Sequence, residues 1–189
     1  VEAMGALGAT LVPADPGVEP DTLERVLKPI AFTEQAASVG ARGDDAFARS
    51  DAEFRTVLAE GRRTGGVEYV EASHRRARLR GRFLALFETV DALVTPTVAV
   101  TAFEAGTIGV DTVDGRPVDR HLGWSPFTWP INLAGLPAAT VPCGFDGDGL
   151  PIGLQIVAPW MAEPMIFRIA AAFEEARPWG HLWPGLGAA

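Results

Sequence analysis

Apolar positions along the chain recur with two different periods, and the change near residue 91 divides the sequence. Leu79, Phe83, Leu86 and Val90 are spaced by four, three and four, which draws one apolar stripe along a helix. The pattern predicts a helix from about Val67 to Thr89, with arginines at 75, 76, 78, 80 and 82 beside the stripe and around the polar face. Those arginines read as a solvated face with stems lying on apolar surface, rather than as an anion site. From Asp91 the pattern becomes extended. Ala92-Leu93-Val94 is a short apolar run bounded by Thr95-Pro96-Thr97, as expected of a buried strand. Residues 138–145 (AATVPCGF) and 152–158 (IGLQIVA) read as two more strands, joined by a DGDG turn that has too few ligands for a calcium loop. Asp114-Gly115 is a two-residue hairpin turn between TV and RPV. A closing amphipathic helix, about Glu163 to Ala176, is expected to bury Ile166, Ile169, Ala170 and Phe173.

The first third is less regular. Residues 1–9 read as a helix that ends near Gly8, and Thr10-Leu11-Val12 as a short strand before a loop rich in turn residues. Asp21 with Glu24 three residues later has the form of a capping box, opening a helix to about Val39 that Pro29 interrupts. Gly40 to Asp45 is a polar break, and Ser50 or Asp51 starts a further helix that ends at Gly65-Gly66. Helices before and after apolar strands point to an α/β protein with a mixed central β-sheet flanked by helices. At 189 residues, one domain over 1–189 is expected.

Composition narrows the partners. The formal net charge is −8, so a phosphate backbone is repelled overall and nucleic acid is not an expected partner. No apolar run approaches the roughly 20 residues needed to span a bilayer, so no membrane association is expected. The one cysteine makes no internal disulfide and fits a reducing, cytoplasmic setting. The first residue is Val, and a start inside a longer protein accounts for this as well as loss of an initiator Met does.

Candidate chemistry is sparse. There is one lysine (Lys28), four serines (Ser38, Ser50, Ser73 and Ser125), one asparagine (Asn132) and three histidines (His74, His121 and His181). No G-x-S-x-G elbow, zinc-ligand spacing, G-x-G-x-x-G or P-loop is present, so no metal and no cofactor are expected. Cys143, between Pro142 and Gly144, reads as a buried structural thiol without a base to activate it. His74 reads as solvated, His181 gives no signal, and His121 is the histidine beside the aromatic cluster. The carboxylate pairs Asp44/Asp45 and Glu174/Glu175 fall on loop or helix surface. Trp124, Phe127 and Trp129 read first as core; their company of two prolines, Asn132 and a glycine makes a concave wall the competing reading.

The series DALVTPT at 91–97, SPFTWPINLAGLPAATVPCGF at 125–145 and GLPIGLQIVAP at 149–159 resembles the amidase signature family. The helix AEPMIFRIAAAFEEARPW at 162–179 resembles that family's last helix, and the likeness is strongest over 67–179. The resemblance implies the amidase signature fold and amide hydrolysis by a Ser–cis-Ser–Lys triad, in which the lysine activates the bridging serine. It places that triad in a glycine- and serine-rich segment upstream of anything in this sequence. Lys28, followed by Pro29, matches no such motif, so no catalytic residue is assigned here. The chain is expected to be the C-terminal portion of an amidase, completed by the missing N-terminal half or by self-association as a homo-oligomer. Its share of the machinery is expected to be a wall of the pocket for a small-molecule amide substrate: Thr95, Pro96 and Thr97, with Ser125, Phe127, Trp129, Asn132 and Leu133. Glutaminase subunits of tRNA-dependent amidotransferases also resemble this family. They carry an acidic residue seven positions before the Asn of NLAG, where it pairs with the substrate's α-ammonium. Ser125 stands there in this chain, so the resemblance favours an apolar or aryl amide. The competing expectation is a non-catalytic interaction module or a fragment of an amidotransferase subunit.

Overall fold

A computed structural model describes residues 2–182. Its elements, in chain order, are α1 (Glu2–Ala6), a π-helical turn (Leu23–Leu27), α2 (Lys28–Gly40), α3 (Asp44–Ala48), α4 (Ala52–Arg63), α5 (Gly66–Leu86), β1 (Leu93–Pro96), β2 (Thr112–Val113), β3 (Arg116–Pro117), α6 (Trp129–Ala134), β4 (Ala138–Phe145), β5 (Pro151–Val157) and α7 (Glu163–Ala176). They fall into two compact units: residues Pro16–Phe83 form a helical unit, and residues up to Asp15 with those from Leu84 onward form a sheet unit.

In the helical unit the expected capping box at Asp21 is not formed. Thr22 already has right-handed helical angles, and the Asp21 carbonyl accepts from the Arg25 N–H at 2.9 Å. The backbone thus starts its helix from Asp21 as from an N-cap, but the Asp21 carboxylate pairs with Arg25 one turn on, at 3.4 Å, instead of with a first-turn N–H. Pro29 interrupts the regular α-helical pattern as predicted, by widening one turn while the chain stays helical from Thr22 to Gly40. The Lys28 N–H reaches back five residues to the Leu23 carbonyl, and Pro29 then lies in the first turn of α2, where its missing N–H costs nothing. The polar break after Gly40 is shorter than expected, because α3 begins at Asp44. Asp51 caps α4 as predicted, accepting from the Phe54 N–H at 2.7 Å.

α5 buries Leu79 and Phe83, but it ends at Leu86, so Val90 lies beyond the helix and only half-buried. The polar face of α5 differs from the expectation. Arg82 donates to the Gly17 carbonyl at 2.5 Å and pairs with Glu19, while Arg75 lies 3.8 Å from the Glu19 carboxylate. These two arginines pin the loop before the π turn rather than only facing water. The Arg82 guanidinium on Glu19 holds its carboxyl below the usual carboxylate range. Acid therefore weakens this tie: its contribution is present above the ordinary Glu value and is lost as pH falls through the lowered one.

In the sheet unit, β5 is central and antiparallel to both neighbours, in the order β1-β5-β4. One sheet face carries Val94, Ala139, Val141, Leu154 and Ile156, and packs with Met4 of α1 and with Ile166 and Phe173 of α7. Of the other residues expected to bury on α7, Ile169 and Ala170 are half-buried against that core. The β4–β5 turn is closed by Asp146, whose Oδ1 accepts from the Asp148 and Leu150 N–H groups at 3.0 and 2.8 Å. The Leu150 bond is the main cause that holds the Asp146 carboxyl below its ordinary value. β2 and β3 meet at the predicted turn, with Asp114 and Gly115 both in the left-handed region (φ 49° and 70°), the type I′ signature.

Two expectations fail here. Thr10-Leu11-Val12 forms no strand: among the described residues nothing pairs with it, Leu11 and Val12 are exposed, and Pro13 ends the run. Cys143 is exposed rather than buried. It occupies a register shift between Pro142 and Gly144 on β4, and that irregularity breaks the in-out alternation of the strand at this position.

A tight helix approach gives a first test. A Cβ on Gly61 of α4 would overlap the Phe32 carbonyl oxygen of α2. Replacing Gly by Ala inside a helix gains up to about 1 kcal/mol of propensity. A clash with a backbone carbonyl cannot be relieved by a rotamer, so the overpacking cost of about 1–3 kcal/mol wins. Gly61→Ala is expected to lower the denaturant midpoint; an unchanged or raised midpoint would count against this packing.

Candidate functional site

The predicted wall residues all lie in the sheet unit, and the sheet's second face organises them. Alternation along β1 puts Thr95 on that face and, one step past the strand, Thr97, whose N–H donates to the Gly153 carbonyl at 2.9 Å. Thr95, Gln155 and Thr140 stand side by side across the three strands. The next row is open at its centre, because β5 has glycine there. The Thr97 and Thr140 hydroxyls meet in a hydrogen bond over Gly153, where a Cβ would fall 2.6 Å from the Thr97 oxygen.

The segment before α6 is held by its own short-range bonds. Asp119 Oδ1 accepts from the His121 and Leu122 N–H groups at 3.0 and 2.8 Å. The Trp124 indole donates to the His121 carbonyl at 2.9 Å, and its ring meets Phe103 edge-on with centroids 5.4 Å apart. Ser125 is buried, and its hydroxyl donates to the Leu122 carbonyl at 3.0 Å. The Thr128 hydroxyl then donates to the Ser125 carbonyl at 3.0 Å. α6 begins with Pro130 in its first turn and closes on Gly135 in the left-handed conformation (φ 65°).

One side chain joins the two halves. Gln155, 5% exposed, donates through Nε2 to Thr95 Oγ1 at 3.0 Å and to the Phe127 carbonyl at 2.8 Å. Thr95 and Phe127 are therefore brought together, with Thr97 one row along. Trp129 and Leu133 are buried on α6, Phe127 is half-buried, and Pro96 and Asn132 are exposed. The sequence reading missed Gln155, although a lone carboxamide inside the apolar run IGLQIVA was a visible signal. His121 is exposed, and it joins this segment through its backbone N–H and carbonyl.

Lys28 lies in the helical unit, 2.8 Å from Glu24 Oε1. It lines a shallow cleft of about 150 Å³ with Glu24, Glu60, Arg63 and Glu68, and no serine lines that cleft. Among the described residues no cluster of His, Cys, Asp or Glu could hold a metal ion, and no helix is long and apolar enough to cross a membrane. What these residues of the sheet unit offer chemically is hydroxyl and carboxamide hydrogen bonding beside aromatic surface.

The family model described as Amidase matches residues 1–167. The chain belongs to the amidase family. Among its relatives are the A-type subunits of two glutamyl-tRNA(Gln) amidotransferases. That of Cyanothece sp. (strain PCC 7425) is 43% identical over 118 residues, and that of Synechococcus sp. (strain RCC307) is 44% identical over 113 residues. The first alignment covers 62% of this chain but 23% of the relative, and the second 57% and 22%. This amidase chain thus aligns with less than a quarter of those proteins. A bacterial aryl acylamidase of the amidase signature family superposes with a TM-score of 0.82 at 23% identity, covering 95% of this chain and 39% of that one. 6-Aminohexanoate cyclic dimer hydrolase, solved with substrate, gives 0.77 at 25% identity over 94% and 40%. The α/β arrangement of this chain is therefore the amidase signature fold.

Trp129 gives the test of this region. Its indole Nε1 is buried and has no hydrogen-bond partner, an arrangement that costs about 1–3 kcal/mol. Trp129→Phe keeps an aromatic ring and removes the orphaned donor, so its melt is expected to be unchanged or slightly higher. Trp129→Ala is expected to cost about 3–5 kcal/mol through the cavity it leaves. Equal losses in the two variants would show that the N–H is satisfied.

Proposed function

We propose that this chain is the later portion of an amidase that hydrolyses carbon–nitrogen bonds in apolar or aryl amides. In this reading both units belong to one amidase domain, and the family match, which runs through both, supports that. The Ser–cis-Ser–Lys triad lies in a segment outside this sequence. A Lys28 that is paired with Glu24 and matches no such motif is in keeping with that. The chain supplies one wall of the acyl pocket: Thr95, Pro96 and Thr97 on the sheet side, and Ser125, Phe127, Trp129, Asn132 and Leu133 on the α6 side. By itself it is inactive.

The observation that carries the substrate preference is Ser125. It stands where the resembling glutaminase subunits have a carboxylate for the substrate's α-ammonium, and here the side chain is neutral, buried and bonded to the Leu122 carbonyl. A neutral, committed hydroxyl offers no charge to an ammonium group, whereas the half-buried Phe127 offers aromatic surface to an apolar acyl group. The identity of above 40% to amidotransferase subunits favours a second reading, a component that works in a complex and draws ammonia from glutamine.

Turnover by the full-length enzyme separates the two. An aryl amide is expected to exceed glutamine by a factor on the order of a hundred or more in kcat/KM, as for a site lacking the charge partner of a polar substrate. Preference for glutamine would reject the first reading in favour of the second.

A further inference from the structure

Gln155 is an expensive residue in its place. The three residues after it, Ile156, Val157 and Ala158, are fully buried and aliphatic, and Gln155 itself is 5% exposed. A buried carboxamide is tolerated only when hydrogen-bonded. Both Nε2 donors are used, one on Thr95 Oγ1 and one on the Phe127 carbonyl. A carbonyl only accepts, so the Phe127 bond fixes which end of the carboxamide faces the segment before α6. Neither bond belongs to the sheet ladder. The pairing of Gln155 with Thr95 and with Thr140 is a backbone register that any side chain on β5 would permit. The Thr95 bond is a cross-strand side-chain link between β5 and β1, whereas the Phe127 bond reaches outside the sheet, and a leucine of similar size would fill the space without making it.

Its neighbour on the same face sharpens the point. Gly153 has no side chain, and there the two threonine hydroxyls close over the strand. Along this face the strand therefore presents one long anchored side chain and then a step without a side chain that the two threonines bridge. The anchored one sets the distance between the Thr95 edge and the Phe127–Trp129 segment.

We propose that Gln155 is a positioning residue for substrate selection: by tying the Phe127 carbonyl to Thr95 it fixes the width of the acyl pocket. The proposal rests on the amidase reading above for its substrate, but not for its structural half. Hydrogen exchange in the intact protein tests that half without any turnover. Gln155→Leu is expected to speed amide exchange in residues 122–134 and leave β4 and β5 unchanged. Even acceleration across the sheet and the segment, or no acceleration, overturns the proposal.

The second half is read in the full-length enzyme as the ratio of kcat/KM for a bulky aryl amide to that for a short aliphatic amide. A change on the order of tenfold is expected, expressed in KM with kcat nearly unchanged. Equal losses for both substrates, tracking a lowered melting temperature, would mean a purely structural role and overturn it. Thr95→Val removes one acceptor while keeping the side chain's shape, and is expected to shift both readouts in the same direction; it decides the matter should Gln155→Leu not fold. A wild-type enzyme that turned over no amide would reject the proposed function, and the exchange result alone would then support or overturn the positioning role.

Discussion

The sheet unit depends on one strand being bonded along both edges. β5 pairs with β1 and with β4, and its Ile156 and Val157, with Ala158 just beyond, are fully buried, so its two faces are committed to different tasks. One face carries Ile156 and Leu154 into the apolar core with α1 and α7. The other carries Gln155 and Gly153 toward the threonines and the segment before α6. Because side chains alternate strictly along a strand, a slip of one residue would exchange these faces, placing a carboxamide in the core and an isoleucine beneath Phe127. The register thus fixes packing and candidate site together.

This division explains why the chain looks poor in chemistry while being specific in shape. The groups gathered on the site face are hydroxyls, a carboxamide and aromatic rings, which in the proposed reading orient a substrate and select among substrates. None is a nucleophile activated by a base, and the chain's one lysine is paired with Glu24 in the other unit. In the proposed amidase reading, bond cleavage and substrate selection are separated along the sequence, and binding energy from the wall is spent on orientation at a centre supplied by another segment.

Features specified by local chemistry were legible in the sequence. The 3.6-residue period of α7, the Asp51 cap of α4 and the Asp114-Gly115 turn each depend on residues within a few positions of one another. The fold class and the family followed from motifs with fixed spacing. What was not legible depends on distant partners or on backbone detail. Thr10-Leu11-Val12 has the composition of a strand, but a strand exists only with a neighbour to bond. Cys143 read as buried because it stands in an apolar strand with no basic neighbour, but a register shift on β4 leaves it exposed. At the site, the wall residues were named from the likeness, but the group that joins them was not. Gln155 meets Thr95 and Phe127 from 60 and 28 residues away, and no local pattern encodes such a junction. Its only trace was a polar residue where the apolar run should have continued.

The central claim is that this chain holds a substrate wall and not the catalytic triad. The most direct test is turnover of a chromogenic aryl amide by material whose intact mass has been verified as 20.0 kDa. The account predicts no turnover from that species, and turnover only from a longer protein that contains it. Amide hydrolysis by the verified 20.0 kDa chain would contradict the account, since it would require a nucleophile and base among residues that match no motif of the expected triad.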